Sequence, residues 1–240
     1  MSEKRNEEVS FLECEKHGTF WMLIFVAGFY GAYTYSVRGG VFCNAQTANV
    51  VLFAMALGNR NMERVLYLLI PISAYFLGAI VSEILAKKVK EYHMLRWDTI
   101  LVGFEIVMVL ILGALPVSAP DQICQVALNF ICSMQFNTFR QNEGIPMATI
   151  FVTNHIRQTG SNLVKAVRDG DKKAGRVATG HFIMLFLFFA GGVLSTVLCH
   201  FFGVRAIWGA AVFLAILFIH LLIADRTYEK NMLSRVPKGH

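Results

Sequence analysis

Charge is what this sequence has little of. Asp, Glu, Lys and Arg make up 16% of its 240 residues, where a soluble domain carries about 25%. The shortfall is uneven. Long stretches hold no charge at all, and the charged residues gather in short segments between them. An ordinary soluble fold is thereby excluded, because over most of the chain the solvent must be lipid. Catalytic constellations are also missing: no phosphate-binding glycine loop, dinucleotide fingerprint or nucleophile–base pairing occurs. The chain is therefore not expected to be an enzyme. Five cysteines (Cys14, Cys43, Cys124, Cys132 and Cys199) form no Cys-x-x-Cys and have no histidine at ligand spacing. They read as small apolar side chains, so neither a metal nor another cofactor is expected. Segment 1–18 is polar and acidic, without the basic start and cleavage site of a secretory signal.

What is present is hydrophobicity. Apolar residues make up 55% of the chain, with 20 Phe and a mean hydropathy of +0.52. A helix crossing a bilayer needs about 20 mostly apolar residues, with every backbone polar group paired inside the segment. Six segments qualify on reading: 19–37, 65–86, 98–115, 122–139, 180–202 and 206–224. The first and fourth are interrupted by polar residues. Trp21, Trp97 and Trp208 stand near segment ends, where indoles favour the lipid–water boundary.

The net charge of +6 does not point to nucleic acid, because the basic residues sit between apolar segments as topology signals. With six crossings and both termini cytoplasmic, the segments around 1–18, 87–97, 140–179 and 225–240 face the cytoplasm. Of the 22 Lys and Arg, all but Arg38, Arg60, Arg64 and Arg205 fall in those segments. The expected fold class is an all-α polytopic protein of the bacterial inner membrane.

Two further stretches are too short to cross and too apolar for ordinary loops. One runs from Gly39 to Leu57, the other from Ile145 to Val167. Gly31 stands 16 residues before Thr47, and Asn137 stands 16 before Thr153. Each stretch leads to a segment with a Gly-x3-Ser step, Gly78 to Ser82 and Gly191 to Ser195. This order suggests two homologous halves, 19–116 and 121–224, between a tail at 1–18 and one at 225–240. Each half reads as a span, a short re-entrant half-helix and two more spans. Three spans per half would insert the second half upside down, the inverted 3+3 plan recurrent in transporters.

The half-helices are the expected functional elements. If both start near Thr47 and Thr153 at the bilayer centre, their free N–H groups favour an anion or a polar solute. The candidate substrate-binding residues are Gln46, Thr47, Asn49, Asn137, Thr153 and Asn154. Short Thr/Asn/Gly-rich helices also serve purely as packing surfaces, and both readings stand. Glu105 is the one acid well inside a span and the candidate coupling group. Glu83 reads as structural, and Asp98 as a helix N-cap facing water. Polar Asn129, Gln135 and Asn137 suggest an inward polar face on the fourth span. The function expected is a transporter or channel for a small polar solute or anion. The alternative is a non-transporting scaffold or sensor subunit whose basic loop, with Arg168, Lys172, Lys173 and Arg176, binds anionic lipid or a cytoplasmic partner. The lipid bilayer is the expected partner, and self-association into a homo-oligomer is left open.

The run Ala27-Gly28-Phe29-Tyr30-Gly31, then Arg38-Gly39-Gly40, then Asn44-Ala45-Gln46-Thr47-Ala48-Asn49, resembles the YoaK family of bacterial membrane proteins. The second half, Met134-Gln135-Phe136-Asn137 with Ala148-Thr149 and Thr153-Asn154, is similar to the same family. The resemblance spans about 19–224 and implies the membrane architecture, while the family has no known activity. Ala48 and Asn154 stand where that family usually has Gly.

Overall fold

Apolar runs of this length pair their backbone groups internally, and helix dominates the result. The computed structural model describes residues 11–90 and 94–237; Lys4, Arg5 and Lys238 lie outside the described residues. Its helices are α1 (His17–Val37), α2 (Gln46–Gly58), α3 (Met62–Lys90), α4 (Trp97–Ala114), α5 (Asp121–Thr138), α6 (Thr153–Asp169), α7 (Lys172–Phe202) and α8 (Trp208–Arg226). Strands β1 (Gln141–Asn142) and β2 (Ile145–Pro146) form one small hairpin after α5.

Four stretches are long and apolar enough to cross a membrane: His17–Val37, Met62–Val89, Trp97–Ala114 and Lys172–Arg226. The last has 55 residues, which as one unbroken helix would run about 80 Å against a hydrocarbon core of about 30 Å. It breaks at Gly203, whose φ of 54° suits a residue without a Cβ. A short 3-10 turn, Gly203–Ile207, then leads into α8. Of the six segments read from the sequence, the fourth does not reach that apolarity. α5 carries Gln125, Asn129, Ser133 and Gln135, all buried among the other helices.

Helix packing follows the glycines. A Cβ on Gly28 would collide with the Phe188 carbonyl, and one on Gly191 with the Phe25 carbonyl. α1 and α7 thus touch backbone to backbone. They run in the same direction, since Trp21 faces Thr179 and the Tyr33 hydroxyl donates to Val204 O at 2.8 Å. α3 and α5 are a second pair of like direction. Gly78 lies against the Phe130 carbonyl, Gln122 donates to Tyr67 O at 3.2 Å, and the Ser82 and Thr138 hydroxyls are 3.1 Å apart. α4 and α8 run opposite ways, with Gly103 beside Phe218 and Gly113 beside Trp208. α2 folds back on α3, and α6 folds back on α7.

Four connecting segments meet at one end of the bundle. The Glu13 N–H donates to Glu229 Oε1 at 2.6 Å, the Glu143 N–H to Glu15 O at 2.9 Å, and the Arg96 N–H to Asp225 Oδ2 at 3.0 Å. The water-facing N-cap expected at Asp98 is corrected here. Asp98 is 4% exposed, and its carboxylate takes the Arg96 guanidinium at 3.1 Å. Arg96 is drawn inward because its Nη1 also donates to Met232 O and Arg235 O, each at 3.2 Å. A cation so placed requires a buried anion. Trp97 is likewise buried and donates to Thr138 Oγ1 at 2.9 Å, instead of lying at the lipid boundary.

Burial raises the Glu229 carboxyl above its ordinary value, with the Glu13 N–H opposing. A carboxyl with a raised folded-state pKa favours the folded protein most below its unfolded pKa. That contribution is lost as pH rises through the raised value. Glu229→Gln is therefore expected to flatten the fall in Tm above pH 4.5, measured in detergent across mildly acidic pH. An unchanged pH slope would overturn the assignment.

Candidate functional site

α2 and α6 both begin without a side-chain cap. Their N-cap residues are Ala45 and Val152, which have no oxygen to offer the first-turn N–H groups. The extended chain before each helix lines one shared cavity of about 560 Å³. Phe42, Asn44 and Ala45 come from one side, and Ile150, Phe151, Val152 and Thr153 from the other. The remaining wall is α1 at Gly28, Gly31 and Ala32, and α7 between Leu185 and Gly192. Those positions are about halfway along α1 and α7. Small residues make the space, since Gly28, Gly31 and Gly192 present no side chain to it. Asn44 fixes the first segment: its Nδ2 donates to Ala27 O at 2.7 Å, and its amide occupies the place a Cβ on Gly31 would need.

Of the sequence-derived candidates, Thr153 lines the cavity. Thr47 is exposed and does not, because each residue along a helix turns the side chain by about 100°. Gln46 and Asn49 point into the bundle. Gln46 Nε2 donates to Asn129 Oδ1 at 2.6 Å, and Asn49 Nδ2 to Phe42 O at 2.6 Å. Their network continues through Gln125, which donates to Arg38 O at 2.7 Å and to the Tyr67 hydroxyl at 2.6 Å. Arg38 is fully buried. Its Nε donates to the Tyr33 hydroxyl at 3.2 Å, and its Nη1 lies 3.6 Å from Asp121 Oδ1. This polar string links the start of α2 to the far end of α1.

Asn137 and Asn154 sit on a second cavity of about 310 Å³, with Arg140 and Pro146. Asn137 donates to Glu83 Oε2 at 3.1 Å, and Arg140 pairs with the same carboxylate at 3.0 Å. Glu83 thus joins α3 to the end of α5. Phe151 lines both cavities, with its ring against Phe136 at 5.0 Å. Phe151 is thus common to the walls of the central cavity and of the one beside Arg140.

Glu105 on α4 is fully buried, and neither carboxyl oxygen has a hydrogen-bond partner among the described residues. It lies among the core residues, within electrostatic reach of Tyr30 and Cys132, and lines neither of these two cavities.

A family model matches residues 19–220, under the description "protein of unknown function (DUF1275)". The chain belongs to the DUF1275 family. Membership of DUF1275 agrees with a chain whose helices are apolar enough for a membrane, and it assigns no activity. No curated protein and no solved structure matches the chain.

One pair of residues escaped the sequence reading. His155 Nδ1 and His181 Nδ1 are 2.7 Å apart, and His155 Nε2 is 2.8 Å from Ala148 O. A carbonyl only accepts, so Nε2 of His155 carries the proton and its Nδ1 accepts from His181. The pair clamps α6 and the lining segment to α7. No local pattern announces a partner 26 residues away.

Proposed function

We propose that this protein is a channel or carrier for a small polar solute or anion, bound in the cavity between α1 and α7. The observation that carries the reading is that two uncapped helix starts, from separate halves of the chain, open onto one space at mid-height. Helix N-termini present N–H donors and the positive end of the dipole. Among the described residues no Lys or Arg lines the cavity, which favours a neutral solute or a monoanion over a highly charged one.

The same proposal takes α1, α3, α4, α5, α7 and α8 as six crossings, with α2 and α6 as half-helices in an inverted repeat. The pairing of helices supports it. Exchanging α1–α4 with α5–α8 turns the α1–α7 pair into α5–α3, and α2–α3 into α6–α7, while α4–α8 maps onto itself. α5 can cross despite its amides because those are buried against other helices. The gathering of most described Lys and Arg near one end supports cytoplasmic termini and an inner-membrane setting. Glu105 is the proposed coupling group.

The test is solute uptake into proteoliposomes, with a panel of small anions and neutral polar solutes. Thr153→Trp fills the cavity and is expected to reduce uptake to the level of empty liposomes. Phe151→Ala enlarges the central cavity at the wall it shares with the second one and is expected to raise uptake several-fold. Glu105→Gln is expected to abolish dependence on a proton gradient. Wild-type uptake no higher than that of empty liposomes across the panel would sink transport. It would leave the scaffold reading, for which the exposed Arg168, Lys172, Lys173 and Arg176 supply the basic surface.

A further inference from the structure

A third cavity, of about 630 Å³, lies near the end of the bundle where the chain termini meet, between the start of α1, the β1–β2 hairpin and the start of α7. One stripe of α7 forms its wall. Lys172, Arg176, Thr179 and Ile183 recur at helical spacing on a single face. The stripe is cationic at the rim and apolar below. From Arg176 to Ile183 it descends about 10 Å. Opposite stands Trp21, 37% exposed, with its ring stacked on His17 at 5.8 Å. Met147 and Ile145 line the hairpin side.

The charges at the rim do not cancel. Glu143 faces His17 at 3.4 Å, while Lys172 and Arg176 have no anionic partner among the described residues. The Thr179 hydroxyl turns back to Gly175 O at 3.0 Å, so it satisfies itself. Gly180 keeps the floor open; a Cβ there would press on Met147 at 3.3 Å.

We infer that this groove binds the phosphate headgroup of an anionic glycerophospholipid. Lys172 and Arg176 hold the phosphate, Trp21 marks the boundary, and Ile183 and Met147 receive the upper acyl chain. Two cations above an apolar floor match an anion that carries its own hydrocarbon. A free oxyanion would use the rim alone. Basic pockets between helices are where anionic lipid headgroups dock. The site requires a membrane setting and is independent of the transport reading.

The test uses the purified full chain in a neutral detergent, with Tm followed during titration by phosphatidylglycerol, phosphatidylcholine or inorganic phosphate. Phosphatidylglycerol is expected to raise Tm, and the other two are not. Lys172→Gln with Arg176→Gln is expected to weaken the response on the order of 30-fold in lipid concentration. Lys87→Gln with Lys88→Gln removes the same charge from exposed positions on α3 outside the groove and is expected to change nothing. Gly180→Leu fills the floor without altering charge and is expected to weaken phosphatidylglycerol binding. Equal stabilisation by phosphatidylcholine would overturn the site, as would equal loss in the control pair. Stabilisation by phosphate alone would replace the lipid with a free oxyanion and overturn the proposal as stated.

Discussion

Gly191→Val abolishes the folded protein while Gly192→Ala leaves it intact: that is the expected result at the α1–α7 contact. The two glycines are neighbours, and composition offers no reason to separate them. The structure does. A Cβ at Gly191 would meet the Phe25 carbonyl and the Phe29 amide, both backbone. Backbone at a helix contact cannot rotate away as a side-chain tip does, so the two helices must part. At Gly192 the nearest atoms to an added Cβ are Gly28 O at 3.7 Å and Ala32 Cβ at 3.9 Å, ordinary van der Waals distances. Overpacking a core costs about 1–3 kcal/mol, and more where the neighbour is rigid. Native stability is itself only about 5–15 kcal/mol. Gly28→Val, the reciprocal position against the Phe188 carbonyl, is expected to behave as Gly191→Val does. Size-exclusion chromatography and thermal unfolding in detergent provide the readout. A monodisperse Gly191→Val protein with wild-type Tm would show that α1 and α7 are not in backbone contact.

Asp98→Ala carries the second large effect. It leaves the Arg96 guanidinium buried beside carbonyls and a thiol, with Asp225 and Glu229 as the nearby acids that remain. Removing one partner of a buried pair costs about 3–5 kcal/mol, chiefly from the stranded charge. Asp225 and Glu229 offset part of this, so the lower end of that range is expected. Arg96→Met combined with Asp98→Leu removes both charges and is expected to recover most of the loss. Because Arg96 also holds the carbonyls of Met232 and Arg235, limited proteolysis within 227–237 should accelerate in Asp98→Ala. An unchanged Tm together with unchanged cleavage would mean that Arg96 is adequately compensated elsewhere.

Much of the architecture was legible from local pattern. The helices α2 and α6 begin at Gln46 and Thr153, where the Thr/Asn clusters stand. The amides of α5 were readable as an inward face, and Asn129 and Gln135 are fully buried. All five cysteines are buried and free, consistent with small apolar residues. The candidate site was legible only in part. Thr153 reaches the cavity, but Gly28, Gly31, Gly192 and Phe151 shape it without any polar signal to single them out. Gln46 and Asn49 were chosen for their chemistry, and that chemistry is satisfied within the bundle.

By itself, the sequence determined the solvent of this protein, the order of its helices and the points where two of them start. Those properties depend on hydrophobicity and chain direction within about twenty residues. Only tertiary structure decided which helices touch, which acid meets Arg96, and which side chains share the central cavity. Each depends on rotation and register between segments far apart in the chain, and a turn of about 100° per residue moves a side chain from the cavity to the outside in one step.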